Sequence, residues 1–255
     1  MRTLLTTIAA VFILLLPVQN HALVLSAIGG EEDPLLLVKK ITITNVKGDV
    51  FEQNLTYYGK KLRGYIKSDG FRMNCTYKGD LITKFEEIGP DHKLSGTHDF
   101  VYEDNKLVIE TIDHIKENEK LVKTYTHTSD TLVAFVETNL NKITSKETVI
   151  KSGMLYFSKG NLIKEEYKDE KGHTQTVTYT HDKKANPFKN ILGYDKLIYE
   201  ESALNNIVEK KTNSEKNSEE SLRKYHYKYN PQGYPIEETQ FEFDGVVLES
   251  VIFAY

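Results

Sequence analysis

Three histidine–carboxylate neighbours are the first places to look for chemistry: His98-Asp99, Asp113-His114 and His181-Asp182. Hydrolysis by a side-chain nucleophile needs a base held by an orienting carboxylate. Consecutive residues on a strand point to opposite faces, so neither member of such a pair orients the other. Asp91, His92, His98 and Asp99 are zinc-ligand types. They lack HExxH or CxxC spacing, and no metal is expected. The pairs Glu86-Glu87, Glu165-Glu166 and Glu200-Glu201 raise glycoside hydrolysis, which needs two carboxyls about 5–10 Å apart across a cleft. They lie in charge-rich stretches that read as solvent faces. The chain has no Walker-type loop, no dinucleotide glycine pattern and no GxSxG elbow, so neither a cofactor nor a catalytic residue is expected. Cys75, the single cysteine, has no local histidine to lower its pKa and reads as a buried, inert thiol.

The aromatic residues are the better candidates. Tyr225, Tyr227 and Tyr229 alternate with Lys224, His226 and Lys228, so a strand carries the three tyrosines on one face. Such a ladder can stack on a sugar, cover an apolar ligand or pack as ordinary core, and it is the expected binding site. The same period of two places Ile41 with Ile43 and Phe241 with Phe243. Turns are explicit at Lys78-Gly79-Asp80, Ser68-Asp69-Gly70, Lys159-Gly160-Asn161 and Asp244-Gly245, where tight hairpins need positive φ. The expected fold is all-β. It is a long antiparallel meander of repeated hairpins, as a curved single sheet or a rolled or sandwiched one. One irregular insertion around 183–200 folds over it, and Lys211 to Ser221 is expected to be a mobile loop.

The chain has 255 residues, 39% of them hydrophobic and 27% charged, with 16 Tyr and 11 Phe to fill a core. A formal charge of −4 argues against nucleic acid, whose phosphates need a basic face. Residues 1–22 read as an export signal: Met1-Arg2, then an apolar run from Leu4 to Leu16 ended by Pro17. Cleavage after Ala22, Ser26 or Ala27 is open. Residues 23–33 read as an acidic flexible linker and 34–255 as one β-repeat domain. No other run approaches 18 apolar residues, so no transmembrane segment beyond the signal is expected.

A unit of tyrosine, turn and aliphatic pair recurs as Tyr77 to Ile82, Tyr102 to Val108 and Tyr156 to Ile163, with looser copies from Tyr58, Tyr125, Tyr179 and Tyr227. Spacings from Tyr58 to Tyr179 are 19, 25, 23, 31 and 23 residues, close to one hairpin each. These units resemble the YD-type repeats of RHS-like β-meander proteins. The run Tyr179 to Tyr194, followed by Asn205-Asn206-Ile207-Val208, looks like a group of secreted or lipid-anchored Bacteroidota proteins of unknown function. That resemblance carries no catalytic residue. Ser26 to Asp33 keeps the group's acidic linker without its lipid-modified cysteine, which implies a soluble periplasmic or secreted product. The expected function is a non-enzymatic binding or interaction module of the cell envelope, its partner an unknown glycan, protein or lipid-like ligand. The alternatives are an extracellular polysaccharide hydrolase and a periplasmic lipid or lipoprotein carrier.

Overall fold

The computed structural model describes residues 36–215 and 219–255. The export signal and the acidic linker lie outside them. The first four strands are β1 (Lys40–Asn45), β2 (Val50–Tyr58), β3 (Lys61–Lys67) and β4 (Arg72–Lys78). Next come β5 (Leu81–Ile88), β6 (Leu94–Glu103), β7 (Lys106–His114) and β8 (Glu119–Ser129). They are followed by β9 (Leu132–Asn141), β10 (Glu147–Ser158), β11 (Asn161–Asp169) and β12 (Thr174–Ala185). The chain ends with β13 (Asn205–Ser214), β14 (Glu219–Tyr229), β15 (Pro235–Phe241) and β16 (Val247–Ala254).

Each strand pairs antiparallel with the next, and β16 returns to pair with β1 from Lys40↔Ala254 to Asn45↔Glu249. The sheet is therefore a closed barrel, not an open curved sheet or a sandwich. Closure removes the two edges that an open meander would leave unpaired. It also corrects the expectation of no transmembrane segment beyond the export signal. That expectation counted apolar runs, whereas a closed ring of strands crosses a bilayer with segments of about 9–11 residues that contain no such run. No described helix is long and apolar enough to cross a membrane, which says nothing of strands.

The hairpin repeat has a physical basis. In all seven pairs where an even-numbered strand leads to the next odd one, the register shifts near the even strand's end: at Thr56/Tyr57, Thr76/Tyr77, Val101/Tyr102, His127/Ser129, Tyr156/Phe157, Thr180/His181 and Lys228/Tyr229. All seven shifts lie at one end of the barrel. Bulges increase local twist and bend the strand, which is what rolling a sheet into a ring requires. Beside the bulges, lumenal side chains latch onto the neighbouring strand. Tyr57 Oη donates to Val38 O (2.7 Å), Tyr102 Oη to Ile82 O (2.8 Å), Tyr227 Oη to Ile207 O (2.9 Å) and Tyr255 Oη to Pro235 O (2.9 Å). His127 Nε2 meets Leu107 O at 2.8 Å, a bond that requires the proton on Nε2. Four of these five latches span 20 residues and Tyr57 spans 19. Tyr102→Phe is expected to cost about 1 kcal/mol. Thermal unfolding followed by circular dichroism should show a midpoint lower by about 2–4 °C.

Inside, the wall combines apolar core residues with acids such as Glu110, Glu137 and Glu165; outside, polar residues alternate with exposed Ile66, Val101, Val136, Ile163 and Ile252. Val38, Leu55, Ile82, Phe85, Leu107, Phe135, Leu155 and Phe253 point inward and are buried. Arg72, Asn74, Thr76 and Lys78 of β4 point outward, as do Lys224, His226 and Lys228 of β14. Cys75 is lumenal and packs against the apolar core. Phe241 and Phe243 do not share a face as expected. Phe241 ends β15 beside the outward His226 (ring centroids 4.8 Å apart), and Phe243 is exposed in the following turn. Lys211 to Ser221 is not a free loop, because β13 runs to Ser214 and β14 starts at Glu219.

Candidate functional site

A ring of this many strands encloses more space than wall side chains fill, and barrels of about 16–18 strands leave a channel unless something enters. Here the irregular insertion enters. Asn186 to Leu204 joins β12 to β13 at the bulged end and packs into the lumen, not over the outside of the sheet. Asn186 opens this plug: its Oδ1 accepts from Phe188 N (2.8 Å), and its N–H donates to Leu204 O (3.1 Å). Leu192 is held on both sides, its N–H donating to Lys60 O (3.0 Å) and its carbonyl accepting from Tyr77 Oη (3.1 Å). Asn190 Nδ2 donates to Leu36 O (2.8 Å) and meets Tyr234 Oη at 2.9 Å. Ile191, Leu197 and Ala203 are buried, and short 3-10 turns span Tyr194–Lys196 and Glu200–Ser202.

One carboxylate ties this plug to the wall. Glu110 of β7 is 1% exposed and accepts hydrogen bonds from Tyr125 Oη of β8 (3.1 Å) and from Tyr199 Oη of the plug. His98 Nδ1 stands 3.9 Å away. Glu137 is the second buried acid, flanked by Lys123 Nζ (3.2 Å) and Lys151 Nζ (3.4 Å).

Two lumenal chambers flank the second 3-10 turn, and both are lined by Glu200 and Glu201. The larger, about 390 Å³, is walled by Tyr125, Glu137, Lys151, Glu165 and Tyr167. Tyr179 Oη lies 2.8 Å from Glu165 Oε1 and 3.0 Å from Glu200 Oε1, and Lys210 Nζ is 2.5 Å from the same Glu200 oxygen. The smaller, about 250 Å³, is walled by Asn206, Lys210, Arg223, Tyr225, Tyr227, Glu238 and Gln240. A third hollow of about 180 Å³, between Leu55, Met73 and Phe85 on the wall and Phe188 and Tyr194 on the plug, is mostly apolar.

Of the three candidate tyrosines, Tyr225 and Tyr227 line the smaller chamber. Tyr229 stacks near Tyr227, centroids 5.9 Å apart, and its hydroxyl is taken up by Asp182. The histidine–carboxylate neighbours separate as the alternation requires. His98 turns inward to Glu87 and Glu110, while Asp99 accepts from Thr97 Oγ1 (3.1 Å). Asp113 pairs with Lys120 and Lys142. Asp182 serves Tyr229 and Asn206. Glu165 points into the larger chamber, and its neighbour Glu166 pairs with Lys164. Sequence reasoning missed Glu137, although it falls in phase with the inward Val133 and Phe135, where an acid on an apolar face is a readable signal. Asn206 carries no such signal.

No family model matches the chain, and no curated protein does. Solved structures do. A porin-like protein from Bacteroides vulgatus ATCC 8482 superposes with a TM-score of 0.63 at 11% identity, over 86% of this chain and 98% of that one. A porin-like protein from Bacteroides uniformis ATCC 8492 gives 0.52 at 15% identity, over 85% and 97%. These likenesses overturn the resemblance to YD-type repeat proteins, because the tyrosine units are the latched hairpins of one closed ring. At such low identity they establish the fold alone: the chain is a closed antiparallel β-barrel of the shape those porin-like proteins share.

Proposed function

We propose that the protein is a non-enzymatic, exported barrel of the cell envelope that holds a small ligand inside its plugged lumen. The single observation that carries this reading is the insertion Asn186 to Leu204, which leaves chambers beside it instead of an open channel. Charged and polar side chains converge with tyrosines in both chambers, which supports a polar ligand held there. The export signal and the porin-like fold of the superposed Bacteroides proteins support an envelope location.

Hydrolysis is the second reading, because Glu165 and Glu200 approach one another around Tyr179. Two features count against it. The Tyr179 hydroxyl fills the space between the carboxylates, and Lys210 neutralises Glu200 at 2.5 Å. A glycosidase pair must face its substrate with one acid free to give a proton.

Native mass spectrometry of the full chain, taken from the envelope fraction of its own host, tests the proposal. The expected spectrum contains a one-to-one adduct with a small molecule. A protein found only in the cytosolic fraction, or one that carries no adduct under any gentle condition, would sink it.

A further inference from the structure

We infer that the smaller lumenal chamber is a saccharide subsite that takes a single neutral, hydroxyl-bearing ring. The inference rests on the reading of the lumen as a ligand chamber and names the ligand's chemistry.

Asn206 makes the strongest demand. It is 1% exposed, and its Nδ2 donates to Asp182 Oδ2 (3.1 Å) and Ala185 O (3.2 Å). Both partners only accept, so the amide cannot be turned the other way round. Its Oδ1 is consequently the atom left over, buried in the chamber wall without any donor. Buried acceptors are almost always satisfied, and an exception needs an explanation. A ligand that donates a hydrogen bond there supplies one.

The rest of the wall narrows the class. Arg223 brings donors, so the ligand must also accept. Sulfate only accepts and would leave Asn206 Oδ1 unanswered, and phosphate, which keeps a proton to donate, would still bring its negative charge against Glu200, Glu201 and Glu238. A metal cation would meet Lys210 and Arg223, and among the described residues no three His, Cys, Asp or Glu side chains are grouped to hold one. A hydroxyl group donates and accepts at once and carries no charge. Tyr225 and Tyr227 add flat apolar area that suits the C–H face of a sugar ring. Drug-sized ligands occupy about 300–1,000 Å³. A chamber of about 250 Å³ therefore suits one ring, not a chain.

The test is a calorimetric titration of the full chain with neutral hexoses, 6-deoxyhexoses and N-acetylhexosamines. Their methyl glycosides are included to separate a free ring from the end of a glycan. At least one member should bind one-to-one. Asn206→Ala and Arg223→Met should each weaken that binding about tenfold or more. Lys224→Ala, on the outer face of the same strand as Tyr225, should leave it unchanged. Arg223 is exposed, so its variant keeps the test valid if Asn206→Ala fails to fold. Affinity unaltered in both folded variants overturns the inference, as does the absence of binding across the panel. If the host-derived protein then carries a retained molecule that is not a sugar, lumenal binding stands and the saccharide assignment falls. If it carries nothing, both fall together.

Discussion

Gly193→Val is expected to destabilise the fold by about 3–5 kcal/mol and to release the plug. Gly193 has φ +75°, a conformation that side-chain-bearing residues adopt at a cost of about 1–2 kcal/mol. The larger contribution is steric. A Cβ on Gly193 would stand 2.3 Å from Asp80 O, a backbone atom in the turn between β4 and β5 that cannot swing aside. The neighbouring Leu192 is fixed there by Lys60 O and Tyr77 Oη, so the plug cannot slide to relieve the clash. Scanning calorimetry should show a midpoint lowered by on the order of 10 °C. Limited trypsin digestion should cut the variant faster than the parent at Lys189 or Lys196, because a released segment fits the protease cleft and a seated one does not. A variant that melts and resists trypsin like the parent would show that the plug does not rest on that turn.

Glu110→Ala should cost about 3 kcal/mol by a different route. Removing the carboxylate leaves the hydroxyls of Tyr125 and Tyr199 without their acceptor, both in the closed lumen. Desolvated donors that lose a charged partner cost more than the bond itself was worth, because water cannot replace it. Glu110→Gln keeps an acceptor and should lose about half as much. A double-mutant cycle with Tyr199→Phe should return a coupling of about 1–2 kcal/mol, since the two groups touch. Denaturant unfolding measures all four proteins. A single-mutant loss below about 0.5 kcal/mol would mean that the wall-to-plug bond bears no weight.

The two substitutions strike the same element from opposite sides. Gly193 seats the plug against the bulged rim, and Glu110 holds it from the wall beside the larger chamber. Losing either anchor should disturb ligand retention as well as stability, whereas Tyr102→Phe touches only the wall.

Much of the wall was legible in the sequence. Alternation placed Tyr225 and Tyr227 on one face with Lys224, His226 and Lys228 on the other, and the structure keeps that division. Phe241 was misplaced because the phase of β15 was not readable from Phe241 and Phe243 alone: Glu238 and Gln240 face the smaller chamber, so Phe241 falls on the outer face opposite Lys224. The latching residues are not always the tyrosines that open the repeat: Tyr57, in phase with the buried Leu55, latches instead of Tyr58, and His127 latches while Tyr125, on the same face, bonds Glu110.

The order of strands, their amphipathic faces and the turns between them were thus written locally, in periods of two and in glycine-bearing turns. Closure was not. It depends on β1 meeting β16 across nearly the whole chain, and on seven bulges adding twist at one rim. The address of the Asn186 to Leu204 insertion was equally hidden, since its apolar residues suit an inner or an outer surface alike. Only the closed ring made the inside the drier of the two. Ring closure is a long-range choice of partners, and the buried need of Asn206 exists only after that choice is made.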